Sequence, residues 1–182
     1  TDGGFSKATG VATFGVSFIH AQANLEGPLP VLPGVESRRI SKSIPKLYGS
    51  VHSDNHIAEL LGLMAGLHGT MSDGFGILVV DNLSVITIAI SLCSPQSSRS
   101  RSKSSNATLE HRLGLIISRL NPPELPNPWS DWIKDWNSKC FKVFEQRIGG
   151  FIISWVHSHQ NKDVPPTMLP NHLVVKGNTD AD

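Results

Sequence analysis

Four acidic residues of this 182-residue sequence lie at positions from which carboxylates can converge. Asp2 ends or interrupts the first predicted strand, Glu59 lies one turn into a predicted helix, and Asp81 directly follows the most apolar short run of the chain. Asp182 follows a Gly-Asn pair that is typical of a helix start. Each residue alone fits a solvated or helix-capping carboxylate, so the hypothesis depends on the four together.

The chemistry that such a group supports is metal-assisted. Asp81 follows Leu78, Val79 and Val80, and a carboxylate at that boundary either faces a cleft or is costly to desolvate. Ligands of open α/β sheets bind at the carboxyl ends of the strands, which is where Asp81 lies. Carboxylates are the ligands that Mg²⁺ prefers, and two such ions roughly 4 Å apart can activate a water and stabilise the leaving oxygen of a phosphodiester.

The first elements read as strands. Thr1–Gly4 is followed by Val11–Phe18, in which side chains alternate with the period of two that predicts a β-strand, and a Gly/Ser/Lys stretch between them fits a hairpin turn. Residues 21–45 carry prolines, glycines and a basic run, which indicates a surface insertion. Residues 46–52 (Lys-Leu-Tyr-Gly-Ser-Val-His) are expected to form the third strand.

A helix and a buried strand come next. Ile57, Leu60, Leu61, Met64 and Leu67 recur at helical spacing after the N-cap candidates of residues 53–55, and Gly69 would end the helix. Residues 76–80 are continuously apolar, as buried central strands are. Residues 83–92 fit a helix or a strand by composition, and their position directly after a buried strand favours a helix.

The remaining chain alternates between helical and extended patterns. Residues 94–106 are low in complexity and are expected to be a loop, whereas 109–120 resume a helical pattern. Residues 129–148 read as a second amphipathic helical region ended by Gly149-Gly150, and 151–156 as a strand. Hairpin-connected strands followed by alternating helices and strands predict a mixed sheet with helices packed on it.

Four motifs resemble those of the ribonuclease H family, especially the ribonuclease H domains attached to reverse transcriptases. Residues 1–4 (Thr-Asp-Gly-Gly) are similar to the family's first-strand Thr-Asp-Gly-Ser, and 55–60 (Asn-His-Ile-Ala-Glu-Leu) to its Asn-x-x-x-Glu-Leu helix. Residues 79–82 (Val-Val-Asp-Asn) are similar to its Thr-Asp-Ser strand end. Residues 155–159 (Trp-Val-His-Ser-His) and 177–182 (Gly-Asn-Thr-Asp-Ala-Asp) are similar to its Trp-Val-x-x-His and Gly-Asn-x-x-Ala-Asp pair.

The resemblance implies an α/β fold of the ribonuclease H type. Its mixed five-stranded sheet would have the order 3-2-1-4-5, with the first three strands antiparallel and helices on both faces. The chain would then be one domain over residues 1–182, with insertions at 21–45, 94–128 and 161–175 and a truncated C-terminal helix.

The resemblance also assigns roles to residues. Two Mg²⁺ ions, for which Mn²⁺ can substitute, would be held by the four carboxylates, Asp2, Glu59, Asp81 and Asp182. Asp180 is the rival of Asp182, and the Ala-Asp ending favours Asp182. His159, rather than the strand-end His157, matches the family's mobile histidine, which is thought to help protons or product leave the site. Contacts to the nucleic acid are implied for six further residues, Gly3, Gly4, Asn55, His56, Asn82 and Asn178.

The function implied is an endonuclease that hydrolyses the RNA strand of an RNA–DNA hybrid, inside the cell (cytoplasm or nucleus) and linked to a polymerase domain. A non-catalytic ribonuclease H-like scaffold that binds nucleic acid is the alternative, and a transposase or integrase is a third. A net charge of +1 does not by itself indicate a nucleic-acid binder. No apolar run is long enough to span a bilayer, so no membrane partner is expected.

Overall fold

The computed structural model describes residues 1–9, 11–19, 37–44, 55–70, 74–93, 107–121, 127, 130–133 and 141–157. Six strands and four helices follow one another in these ranges. Their order is β1 (Asp2–Ser6), β2 (Val11–Ile19), β3 (Ser37–Ile44), α1 (Asn55–His68), β4 (Gly76–Val80), α2 (Leu83–Cys93), α3 (Ala107–Ile117), α4 (Ser130–Ile133), β5 (Phe141–Ile148) and β6 (Phe151–Val156). The predicted mixed α/β class is confirmed.

The first sheet has the order β1-β2-β3, and all of its pairs are antiparallel. Asp2 lies opposite Gly15, so the predicted hairpin is confirmed. The third strand is Ser37–Ile44, so the prediction of a surface insertion is wrong for residues 37–44. The free edge of β2 supplies eight backbone partners to this polar and basic segment, so pairing rather than hydrophobicity makes it a strand. The strand predicted at 46–52 lies outside the described residues.

The second sheet has the order β4-β6-β5. β4 runs parallel to β6, with Val80 opposite Trp155, and β5 is antiparallel to β6. The prediction of a helical region over 129–148 is wrong for residues 141–148, because Phe141–Ile148 is a strand. Gly149 turns the chain with a positive φ of 57°, a conformation that glycine adopts without steric cost, and so closes the β5–β6 hairpin.

The strand pairs therefore make two three-stranded sheets where the sequence predicts a single sheet of five. The sheets meet at the start of the chain, where the Thr1 nitrogen donates a hydrogen bond of 2.8 Å to the carbonyl of Val79 in β4. Helix α1 packs against β1 and β2 and contributes to the same core as β4 and β6. Helix α1 is consequently the element that connects the first sheet with the core of the second.

The predicted helices are confirmed at α1, α2 and α3, and all three bury apolar faces in one cluster. Leu63 of α1, Ile86 of α2 and Leu113 of α3 are fully buried, and each such side chain stabilises the fold by about 1.5–3 kcal/mol. The α3 helix thus belongs to the core although it lies in the segment 94–128 that was predicted to be inserted. Among the described helices, none combines the length and apolarity needed to cross a bilayer.

Candidate metal centre

Three of the four predicted ligands converge. Asp2 of β1, Glu59 of α1 and Asp81, directly after β4, each present a carboxylate oxygen, and these oxygens all lie within 4.8 Å of one another. The three residues come from three separate elements and are far apart in sequence. Asp182, its rival Asp180 and the predicted histidine His159 lie outside the described residues.

Glycines bring β1 and α1 close enough for this convergence. A Cβ at Gly3 would overlap the Glu59 nitrogen and the Ala58 carbonyl carbon, closer than any real Cβ contact. A Cβ at Gly62, one turn along α1, would stand 2.9 Å from the Asp2 carbonyl oxygen. Backbone therefore packs directly on backbone, and Asp2 and Glu59 reach the same site because neither glycine has a side chain.

Asp81 lies between two well-fixed neighbours. Val80 before it is fully buried and pairs with β6. Asn82 after it caps α2: its side-chain oxygen accepts hydrogen bonds from the amides of Ser84 (3.1 Å) and Val85 (3.3 Å). Strand β4 and helix α2 thus hold the Asp81 backbone from both sides. The nucleic-acid contact of Asn82 stays a prediction, and its capping role was missed although Asn is a preferred N-cap residue.

Burial and mutual repulsion dominate the electrostatics of the three carboxylates. Asp2 is only 6% exposed and Glu59 only 3%. Burial, and then the negative charges of Asp81 and Asp2, raise the pKa of Glu59 from 4.5 to about 9, against the opposing effects of the Thr1 amino group and a backbone hydrogen bond from Gly3. Without a cation, Glu59 therefore keeps its proton at neutral pH.

A divalent cation fits this donor set. Every ligand atom is a carboxylate oxygen, which suits a hard ion such as Mg²⁺. Within the described part of the chain, the buried Oε2 of Glu59 has no hydrogen-bond partner, and an unsatisfied buried polar atom costs about 1–3 kcal/mol. A bound cation would give this atom a partner and offset the repulsion among the carboxylates. The cluster can therefore hold a metal ion.

The other predicted site residues lie around this cluster or outside the residues that the structure describes. Asn55 is the first residue of α1 and is exposed one turn before Glu59, while His56 beside it is half-buried. Gly4 is half-buried in β1, where an added Cβ would meet only the Thr13 hydroxyl at 3.5 Å. Asn178 lies outside the described residues.

Two residues next to the cluster were not foreseen. Gly62 has no side-chain chemistry, and its close approach to Asp2 depends on tertiary packing that no local pattern encodes. Trp155 donates a hydrogen bond of 2.8 Å from its indole nitrogen to the carbonyl of Asp81. The Trp-Val-x-x-His motif marked this tryptophan, but its spacing does not say what the indole contacts.

Comparison of the chain with protein-family models, with curated proteins and with solved structures gives no match. The case for a function consequently rests on the motifs and on the geometry of the three carboxylates.

Proposed function

We propose that this chain is a ribonuclease H-like endonuclease that hydrolyses the RNA strand of RNA–DNA hybrids with two bound Mg²⁺ ions. The observation that carries the proposal is the convergence of Asp2, Glu59 and Asp81 from β1, α1 and the end of β4. The motif resemblance selects the same three residues. Asp182 would be the fourth ligand, and Mn²⁺ would substitute for Mg²⁺.

The proposal includes a continuous sheet. The hydrogen bond from Thr1 to Val79 supports placing β1 beside β4, because it joins the start of β1 to a β4 carbonyl. β6 pairs with β4 in parallel and would take the place of the family's last strand. The proposed sheet order is then β3-β2-β1-β4-β6-β5. Its first five strands correspond to the family's order 3-2-1-4-5, and β5 is an additional strand at the edge.

The residues of the cluster would perform distinct tasks. Metal ions bound there would activate the attacking water and stabilise the leaving oxygen of the RNA phosphodiester. Asp2 and Asp81 are the charges that, after burial, most raise the pKa of Glu59, so the cluster takes up a cation most readily once Glu59 has lost its proton. His159 would help protons or product to leave, as the resemblance implies.

Recognition of the hybrid would involve the first turn of α1. Asn55 is exposed one turn before Glu59, so a strand cut at the cluster would pass close to it. Together with His56, its amide would contact the minor groove, where the 2′-hydroxyl distinguishes RNA from DNA. Gly3, Gly4, Asn82 and Asn178 are the further proposed contacts, and a polymerase domain linked to this chain is the proposed partner.

The test is cleavage of a labelled RNA–DNA hybrid by the purified chain with Mg²⁺. Asp81→Asn is expected to lower the cleavage rate on the order of 1,000-fold, since a lost metal contribution of several kcal/mol corresponds to that factor. Glu59→Gln should lower the rate similarly. Glu145→Gln, which changes an exposed carboxylate on β5, is the matched control and should cleave like the wild type.

The outcomes separate the candidate functions. Undiminished Mg²⁺-dependent cutting by pure Asp81→Asn protein would overturn the proposal. Hybrid binding by the wild type without any cleavage would point to the non-catalytic scaffold. Processing of a double-stranded DNA end in place of the hybrid would point to a transposase or integrase.

A further inference from the structure

Trp155 connects the second sheet to the residue that carries the third carboxylate. Its indole nitrogen donates a 2.8 Å hydrogen bond to the backbone carbonyl of Asp81. In the parallel register Trp155 lies opposite Val80, which is the last paired residue of β4. The indole therefore extends the attachment of β4 to β6 by one residue beyond the strand, to the residue of the candidate metal centre.

This hydrogen bond matters because Asp81 is the single residue between a strand and a helix cap. On its amino side, Val80 is fixed by pairing with β6. On its carboxyl side, Asn82 accepts amide hydrogen bonds of α2 through both its side-chain oxygen and its carbonyl oxygen, the latter from Ile86 at 3.2 Å. With its own carbonyl held by Trp155, the Asp81 backbone is fixed, and the direction in which its carboxylate leaves the backbone is fixed with it.

The indole is itself held in place. The Trp155 ring packs against the hydrophobic core, and the His157 ring contacts it edge to face, with centroids 5.8 Å apart and an interplanar angle of 63°. Such aromatic pairs stabilise the position of a ring beyond the effect of its buried area. A donor with so little freedom can restrain its acceptor.

We infer that Trp155 is a positioning residue for the Asp81 carboxylate and, through it, sets the affinity of the centre for divalent cations. The inference rests on the proposed function in requiring that the cluster bind metal. Groups that hydrogen-bond to metal ligands typically change metal affinity by about 10–100-fold. Because Trp155 acts on the ligand's backbone rather than on its carboxylate, we expect a smaller change of about 3–10-fold.

The experiment is a titration of the metal-free full chain with Mn²⁺, in which free Mn²⁺ is measured by electron paramagnetic resonance. Trp155→Phe keeps an aromatic ring but removes the N–H donor, and it should raise the Mn²⁺ dissociation constant about 3–10-fold. The melting temperature without metal, measured alongside, reports the stability that is lost with the hydrogen bond and with the smaller ring, and so separates this loss from the change in metal affinity. Asp81→Asn is expected to lose the site.

Ser154→Ala is the matched control. Ser154 is the neighbour of Trp155 in β6, and its hydroxyl also donates to a β4 carbonyl, that of Leu78 at 3.3 Å, away from the cluster. The control should bind Mn²⁺ like the wild type. If Trp155→Phe melts at a lower temperature, a benzothienylalanine at position 155, which keeps the bicyclic shape without the N–H, should show the same weakened binding.

Each result has one meaning. An unchanged dissociation constant for Trp155→Phe, or for the benzothienyl variant where it is needed, overturns the inference while leaving the metal centre intact. Equal losses of Mn²⁺ affinity for Ser154→Ala and Trp155→Phe overturn it as well. They would show that any disturbance of the β4–β6 pairing weakens metal binding. If the wild type takes up no Mn²⁺, the proposed function fails and the inference fails with it.

Discussion

The two ends of β4 each have a buried polar side chain nearby, and the two differ in how their hydrogen-bonding groups are used. At the amino end, Asn127 donates from its side-chain nitrogen to the carbonyls of Gly76 (3.1 Å) and Gly150 (2.6 Å). At the carboxyl end, Glu59 is equally buried, yet its Oε2 has no hydrogen-bond partner among the described residues, and two other carboxylates lie beside it.

This difference separates a polar residue that stabilises the fold from a candidate metal ligand. Asn127 joins the start of β4 to the β5–β6 turn, so its burial stabilises the fold. Glu59 is buried among charges of its own sign, which costs stability unless a proton or a cation offsets them. Carboxylates buried side by side destabilise the metal-free fold. The same arrangement provides the ligands that a metal centre needs before its ion binds.

The largest effect is expected from a substitution that forces β1 and α1 apart beside the carboxyl end of β4. Gly3→Ala would place a Cβ against the Glu59 backbone, which cannot yield as a flexible side chain can. We expect a loss of about 3 kcal/mol in the free energy of unfolding, together with loss of metal binding. Urea denaturation would measure the first and Mn²⁺ titration the second.

Gly4→Ala is the control for this change, since its added Cβ would make only an ordinary contact at 3.5 Å. It should alter the stability by less than about 0.5 kcal/mol. Equal stability of both variants would contradict the close packing of β1 on α1.

At the amino end of β4, Asn127→Ala should lower the free energy of unfolding by about 2 kcal/mol, because two buried or half-buried carbonyls lose their donor. Metal binding should stay as in the wild type, since no cluster residue is touched. Asn121→Ala, at an exposed position after α3, should have almost no effect in the same denaturation experiment. A change in metal affinity for Asn127→Ala would break the distinction between the two ends.

Glu59→Gln, unlike the preceding substitutions, is expected to raise the free energy of unfolding. The amide keeps the size of the side chain and removes the charge that burial opposes, so the metal-free variant should be more stable than the wild type by about 1 kcal/mol near pH 9. The variant should also lose metal binding. A stability below that of the wild type at this pH would contradict the electrostatic account.

The pH dependence of the wild type tests the same pKa shift. Since the folded-state pKa of Glu59, about 9, lies above its ordinary value of 4.5, protonated Glu59 stabilises the fold fully below pH 4.5, and this contribution is lost as the pH rises through about 9. Between these values the metal-free melting temperature should fall, while the increase in melting temperature on adding Mg²⁺ should grow. A flat profile identical to that of Glu59→Gln would contradict the pKa shift.

Local patterns in the sequence predicted the elements that carry the cluster. Asp81 was found because a continuous apolar run precedes it, and Glu59 because helical spacing surrounds it. The β1–β2 hairpin followed from period-two alternation.

Other features depend on partners that are distant in sequence. β3 is polar and basic and becomes a strand through its pairing with β2. The sequence predicts a helix at β5 because a register shift between Val143 and Arg147 interrupts the alternation that marks a strand. The indole of Trp155 reaches Asp81 only through the parallel pairing of β4 with β6, so a tertiary contact creates its role.

The most direct test of the central claim is a crystal of the full chain soaked in Mn²⁺, with the metal located by its anomalous scattering. We predict an anomalous peak among the carboxylate oxygens of Asp2, Glu59 and Asp81. A crystal of Asp81→Asn soaked in the same way should lack it. A fully ordered cluster with no anomalous peak in the wild type would contradict the claim that these residues form a metal centre.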